Sequence, residues 1–89
     1  MAHHKSAQKR IRQSERRRKR NQHVRSGMRT HVKALRLAID SGDAADASDK
    51  LKTAERAIRK AATKGVIPKR RADRTVSRLA RSVNALSQG

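Results

Sequence analysis

Eight cationic side chains stand between Lys9 and Arg20: Lys9, Arg10, Arg12, Arg16, Arg17, Arg18, Lys19 and Arg20. Lys5 and Ser6 lie just ahead of them, and Glu15 is the sole acid in the run. Guanidinium groups fork bidentately onto phosphate oxygens and stack on bases, while ammonium groups hold phosphate as point charges. A run this dense and one-signed repels itself as a resting surface, so it points to a polyanionic partner. Other chemistry has little material. There is no Cys or Tyr, no Gly-rich phosphate loop and no His-x-x-x-His pair. Ser, His and Asp occur, but their spacing suggests no constellation, and the apolar content leaves no room for a sheltered pocket. No catalytic residue, metal ligand, cofactor or small-molecule substrate is expected.

Four histidines need a reading of their own. His3 and His4 sit beside the N-terminus, where a free amine followed by His chelates square-planar Cu(II). No other ligand joins them, so they read as solvated side chains in a polar lead-in, Met1–Lys5. His23 and His31 lie further on and read as helical, partly exposed histidines, with phosphate contact as the alternative.

Composition agrees with a nucleic-acid or anionic-membrane partner. The 89 residues carry 25 Lys plus Arg against 7 Asp plus Glu, a formal net charge of +18. Hydrophobic residues make up 34% and aromatics none, so one small domain must build a thin core from Ala, Val, Leu and Ile. The absence of aromatics removes the stacking platforms of single-strand binders and favours folded, backbone-rich nucleic acid. No Cys is present, as expected inside a cell. No apolar stretch resembles a signal peptide or spans a bilayer.

The elements that position the cations follow from periodicity. Ser6–Arg20 contains no Pro or Gly and is rich in helix formers, with Ser6 as the expected cap. At about 100° per residue, Lys9, Arg12, Arg16, Lys19 and Arg20 share a face, and Ala7, Ile11 and Ser14 make only a thin stripe. Beyond Arg20 the pattern turns amphipathic: Val24, Met28, Val32, Leu35 and Ile39, flanked by the basic line Arg25, Arg29, Lys33 and Arg36. One helix is predicted from Ser6 to about Ser41. Gly42 stops it, and Asp43 caps a second helix to Thr63, with Ala47, Leu51, Ala54, Ile58 and Ala61 inward. Lys64-Gly65 ends that helix, Val66-Ile67 connects, and Pro68 is placed in the first turn of a third. Its apolar face is Ala72, Val76, Leu79, Val83 and Leu86, and it carries Lys69, Arg70, Arg71, Arg74, Arg78 and Arg81, with a frayed Ser87-Gln88-Gly89.

The predicted fold is all-α: an antiparallel three-helix bundle with a long first helix whose N-terminal half overhangs. Helix one is about 54 Å long and its partners about 30 Å each, so residues 1–22 are expected to form a basic helical extension and residues 23–89 the bundle.

Ordered motifs along nearly the whole chain resemble the bacterial small-subunit ribosomal protein S20 family. They are His4-Lys5-Ser6-Ala7, Lys9-Arg10, Gln13-Ser14-Glu15, Arg17, Met28-Arg29-Thr30, Lys33, Ala38-Ile39, Gly42-Asp43, Lys64-Gly65-Val66-Ile67, Lys69, Ala72, Arg74 and Arg78-Leu79. The resemblance implies a monomer within the small ribosomal subunit, in the cytoplasm, lying among helices of its ribosomal RNA. It implies primary binding to the five-prime domain and contact with the long penultimate RNA helix. Lys5, Ser6, Lys9, Arg10, Arg17, Arg29, Lys69 and Arg74 inherit an RNA-facing role. Residue type and placement extend the expected set to Arg12, Arg16, Arg18, Lys19, Arg20, Arg25, Lys33, Lys64, Arg70, Arg71 and Arg78. Pro68, Arg70 and Asp73 stand where the family often has His, Asn and Ala. A nucleoid-type DNA-binding protein would share the charge but is expected to show Lys-Ala-Pro tracts or a base-reading helix, and neither is present. A membrane-active cationic helix needs a bulky apolar face, which Ile11 alone does not provide.

Overall fold

A run of 40 residues without Pro, interrupted by glycine only at Gly27, forms one unbroken helix, α1 (Ala2–Ser41). α2 (Ala44–Thr63) and α3 (Lys69–Gln88) follow, each of 20 residues. The computed structural model describes residues 2–88, with side chains described for residues 4–88. The expectations for Met1, the His3 side chain and Gly89 lie outside these residues.

Each boundary has a local cause. Gly42, at φ 80°, takes the left-handed turn that an L side chain resists, and its N–H donates to the Ile39 carbonyl at 3.1 Å. Asp43 caps α2 as predicted, its carboxylate accepting from the Asp46 N–H at 3.0 Å. α2 closes in a Schellman motif: Val66 N–H donates to Ala61 O at 2.9 Å and Gly65 N–H to Ala62 O at 3.0 Å, with Gly65 at φ 75°.

Three expected boundaries move. α1 begins at Ala2 rather than Ser6, so the Met1–Lys5 lead-in is helical from Ala2 onward and Ser6 lies inside the helix, not at its cap. Nothing in Ala2–Lys5 opposes helix, and Gln8 meets His4 one turn back at 3.2 Å. Pro68 precedes α3 instead of opening it, because its carbonyl accepts from the Ala72 N–H at 3.1 Å, the role of a cap. Ser87 and Gln88 remain helical.

The core is small and apolar: Leu35, Ala38, Ala47, Ala54, Ile58, Ala61, Val66, Ile67, Ala72, Val76, Leu79 and Val83. Val24, Met28, Val32, Ile39, Leu51 and Leu86 pack on it half-buried, so Leu51 lies at the margin and not in the centre. Alanine-rich faces let α2 approach both neighbours closely. α1 and α3 each pack against α2 and scarcely against one another, so α2 is the middle layer. The connector Val66-Ile67 is buried, as predicted.

The packed part ends where the apolar stripe ends. Every side chain from His4 to Arg20 is exposed, and Asn21 is the first that is not. The molecule measures 68 × 21 × 14 Å with a radius of gyration of 17.8 Å, well above the ~12 Å of a compact chain this long. The excess is the overhang of α1. By helical spacing, Arg10 and Arg17 occupy the line that Val24, Met28 and Leu35 occupy further on. Extending the bundle along α1 would bury guanidinium groups, which is unfavourable without partners.

Candidate nucleic-acid interface

α1 carries thirteen Lys and Arg against only Glu15 and Asp40. Among the described residues the ion pairs are Lys50–Asp46 at 2.7 Å, Arg59–Glu55 at 3.0 Å and Arg59–Asp73 at 3.5 Å, all on α2 and α3. Within that set no cation of α1 is neutralised. Lys5, Lys9, Arg10, Arg12, Arg16, Arg17, Arg18, Lys19 and Arg20 therefore project from a rod about 26 Å long, exposed on every face. Ser6 stands among them as an exposed hydroxyl. Ile11, 60% exposed, is the one large apolar group on the rod, between Arg10, Ser14, Glu15 and Arg18.

The structure brings part of the remaining set together at the base of the rod. α3 starts there because the connector folds back, and Arg25 Nη2 donates to the Val66 carbonyl at 3.5 Å, a long contact that ties α1 to the connector. A groove between α1 and α3 is floored by Met28, Val32, Ile58 and Ile67 and edged by Arg29, Lys33, Arg36 and Arg71. Two basic lines that are far apart in sequence thus share one groove. Arg78 lies one heptad beyond Arg71 on the same flank of α3, while Arg70 and Arg74 point outward, away from the core positions Ala72, Val76 and Leu79. Lys69 lies on the opposite flank, beside Asp73 and Arg59. Lys64 stands apart, on the α1–α2 side.

Arg56 and Lys60, two cations outside the expected set, join Lys64 on that α1–α2 side, near His23 and His31. In sequence they look like ordinary solvated charges of α2. Only the pairing of α2 with α1 puts them on the same side as the rod's basic face.

Acids concentrate at the other end. Asp40, Asp43, Asp46 and Asp49 surround the α1–α2 turn, the end farthest from the rod. The molecule is a long dipole: cationic rod and bundle base, mixed-charge tip. Such a field orients a polyanion toward the rod before contact. No group of three or more His, Cys, Asp or Glu able to hold a metal occurs among the described residues. No helix among them is long and apolar enough to cross a membrane.

Comparison with known proteins finds relatives over nearly the full length of the chain. Residues 2–84 match the family Ribosomal protein S20. Small ribosomal subunit protein bS20 of Geobacter metallireducens is 52% identical over 86 residues, covering 97% of this chain and 99% of that protein. The protein of the same name from Geotalea daltonii is 52% identical over 87 residues, covering 98% and 100%. That of Wolinella succinogenes is 46% identical over 87 residues, covering 98% and 96%. A family match over residues 2–84, with relatives about half identical across nearly the whole chain, leads to one conclusion: the chain belongs to the ribosomal protein S20 family.

Proposed function

We propose that this protein is a structural, non-catalytic constituent of the small ribosomal subunit in the cytoplasm, acting as a monomer that binds ribosomal RNA directly. The observation that carries the reading is the rod: every side chain from His4 to Arg20 is exposed, and none of its cations has an acidic partner among the described residues. A surface of that kind is self-repelling, and neutralisation by phosphates with release of counterions stabilises it.

The chain works in two parts. Residues 1–22 form a basic extension that enters between RNA helices of the five-prime domain, close to the long penultimate helix. Residues 23–89 form the bundle that sets its direction. Arg10, Arg12, Arg16, Arg17, Arg18, Lys19 and Arg20, with Lys5, Ser6 and Lys9, contact phosphates on more than one side. Arg25, Arg29, Lys33 and Arg71 line a second contact at the base, with Lys69, Arg70, Arg74 and Arg78 around it, and Lys64 contacts RNA separately, on the α1–α2 side. Holding separate RNA elements on one stiff helix is how such a protein stabilises the RNA fold during assembly.

Co-sedimentation tests this reading. The protein should remain with small subunits after a high-salt wash. Recovery in the wash, or equal retention on duplex DNA, would favour the nucleoid-type alternative.

A further inference from the structure

We propose that the groove between α1 and α2 around Gly27 carries a phosphodiester strand, with Gly27 as the point of close backbone approach and His23, His31, Arg56, Lys60 and Lys64 as phosphate donors. This rests on the RNA-binding reading above and adds a third contact surface to the rod and the groove at its base.

Gly27 has no role that the fold explains. It lies inside α1, it is not among the glycines at positive φ, and a Cβ added there meets nothing within 4 Å. Alanine would fit without strain and would favour the helix. What glycine provides is bare backbone in the groove formed with Val24 and Met28 of α1 and Ala57 of α2. Glycine serves that purpose where an external backbone approaches closely.

The surroundings identify the visitor as an anion. His23 and His31 stand one turn before and one turn after Gly27, and Arg56, Lys60 and Lys64 line the α2 side. No carboxylate lines the groove, and none of these three cations is in an ion pair among the described residues. The opposite side of α2 supplies an internal contrast. There Arg59 is answered by Glu55 and Asp73. Each imidazole offers an N–H donor to a phosphate oxygen even when neutral.

Register ties the groove to the rod. Arg16, Arg20, His23, Gly27 and His31 are spaced four, three, four and four residues apart, so they share one face of α1. A strand held by Arg16 and Arg20 therefore runs into the groove without crossing the helix.

The test pairs binding with stability on the full-length protein. Gly27→Ala should raise the thermal midpoint by roughly 4–8 °C through helix propensity. It should also weaken filter binding to a five-prime-domain RNA fragment by roughly 3- to 10-fold, the loss of about one phosphate contact as the added methyl holds the strand off the backbone. Gly27→Leu should weaken binding further. The Lys60→Gln, Lys64→Gln double variant should lower the salt slope by roughly 0.7–0.9 for each phosphate left unneutralised. Because Gly27→Ala stabilises the fold, weaker binding cannot come from unfolding. If both Gly27 variants bind like the parent while Arg16, Arg17 and Arg18 changed to Gln lower the slope, the groove is overturned and the RNA reading stands. If the triple variant also binds unchanged, the RNA reading itself fails.

Discussion

Ile11 and Ile58 are the same side chain in opposite circumstances. Ile58 is 0% exposed at the centre of α2, among core residues supplied by all three helices, whereas Ile11 is 60% exposed on a rod with no neighbour but its own helix. Both sit in long, unbroken α-helix. The difference shows that helical structure and tertiary stabilisation are separate matters in this chain. The bundle is held by burial of a thin Ala, Val, Leu and Ile core. The rod is held by backbone hydrogen bonds and propensity alone, against repulsion among its cations. An element built that way is completed by a polyanion, and the bundle fixes where it points.

Amide exchange on the free protein reads the stabilities of rod and bundle separately. Core positions of α2 and α3 should exchange only through global opening, while Lys9–Arg20 should exchange through local opening near zero free energy. Strong protection of Lys9–Arg20 without RNA would erase the distinction between the two regions. Next in size are truncations within the bundle. Leu79→Ala and Ile58→Ala should each cost roughly 2–5 kcal/mol, a large share of a small domain's stability. Thermal unfolding checks this, and an unchanged midpoint would remove either residue from the core.

Asp43→Ala removes the carboxylate that caps α2 and should cost roughly 0.5–2 kcal/mol in the same assay. Ile11→Ala should leave stability within about 0.5 kcal/mol, since it uncovers nothing. It should nevertheless weaken the specific RNA complex without altering its salt slope, because it removes apolar surface and no charge. A destabilisation as large as that of Ile58→Ala would mean that the rod packs on the bundle.

Much of this architecture is legible from spacing. The apolar periodicity of α2 and α3, Gly42 and Gly65 as stops, and Asp43 as a cap are local signals, and they appear where expected. The overhang is legible too, because the rod's thin Ala7–Ile11 stripe is rotated from the line of Val24, Met28 and Leu35. What local signals miss is mutual placement. Leu51 matches the core period of α2 but falls at the margin of the packed region. Ser6 resembles a cap, yet residues before it propagate the helix equally well. Arg56 and Lys60 are indistinguishable from solvated charges until α2 is placed beside α1. Arg71 is a candidate from its helix alone, but its sharing a groove with Arg29 and Lys33 depends on the connector folding back under Arg25.

If the rod grips phosphate while the bundle positions it, the salt dependence of binding must carry the rod's arginines. Arg16, Arg17 and Arg18 changed together to Gln keep helix propensity, so weaker binding cannot be assigned to melting. Filter binding to a five-prime-domain RNA fragment is measured across a salt series, with an unrelated folded RNA as control. The slope of log affinity against log salt should fall by roughly 0.7–0.9 for each phosphate no longer neutralised, with similar weakening on both RNAs. An unchanged slope would place these arginines in solvent and leave the rod without a hold on phosphate.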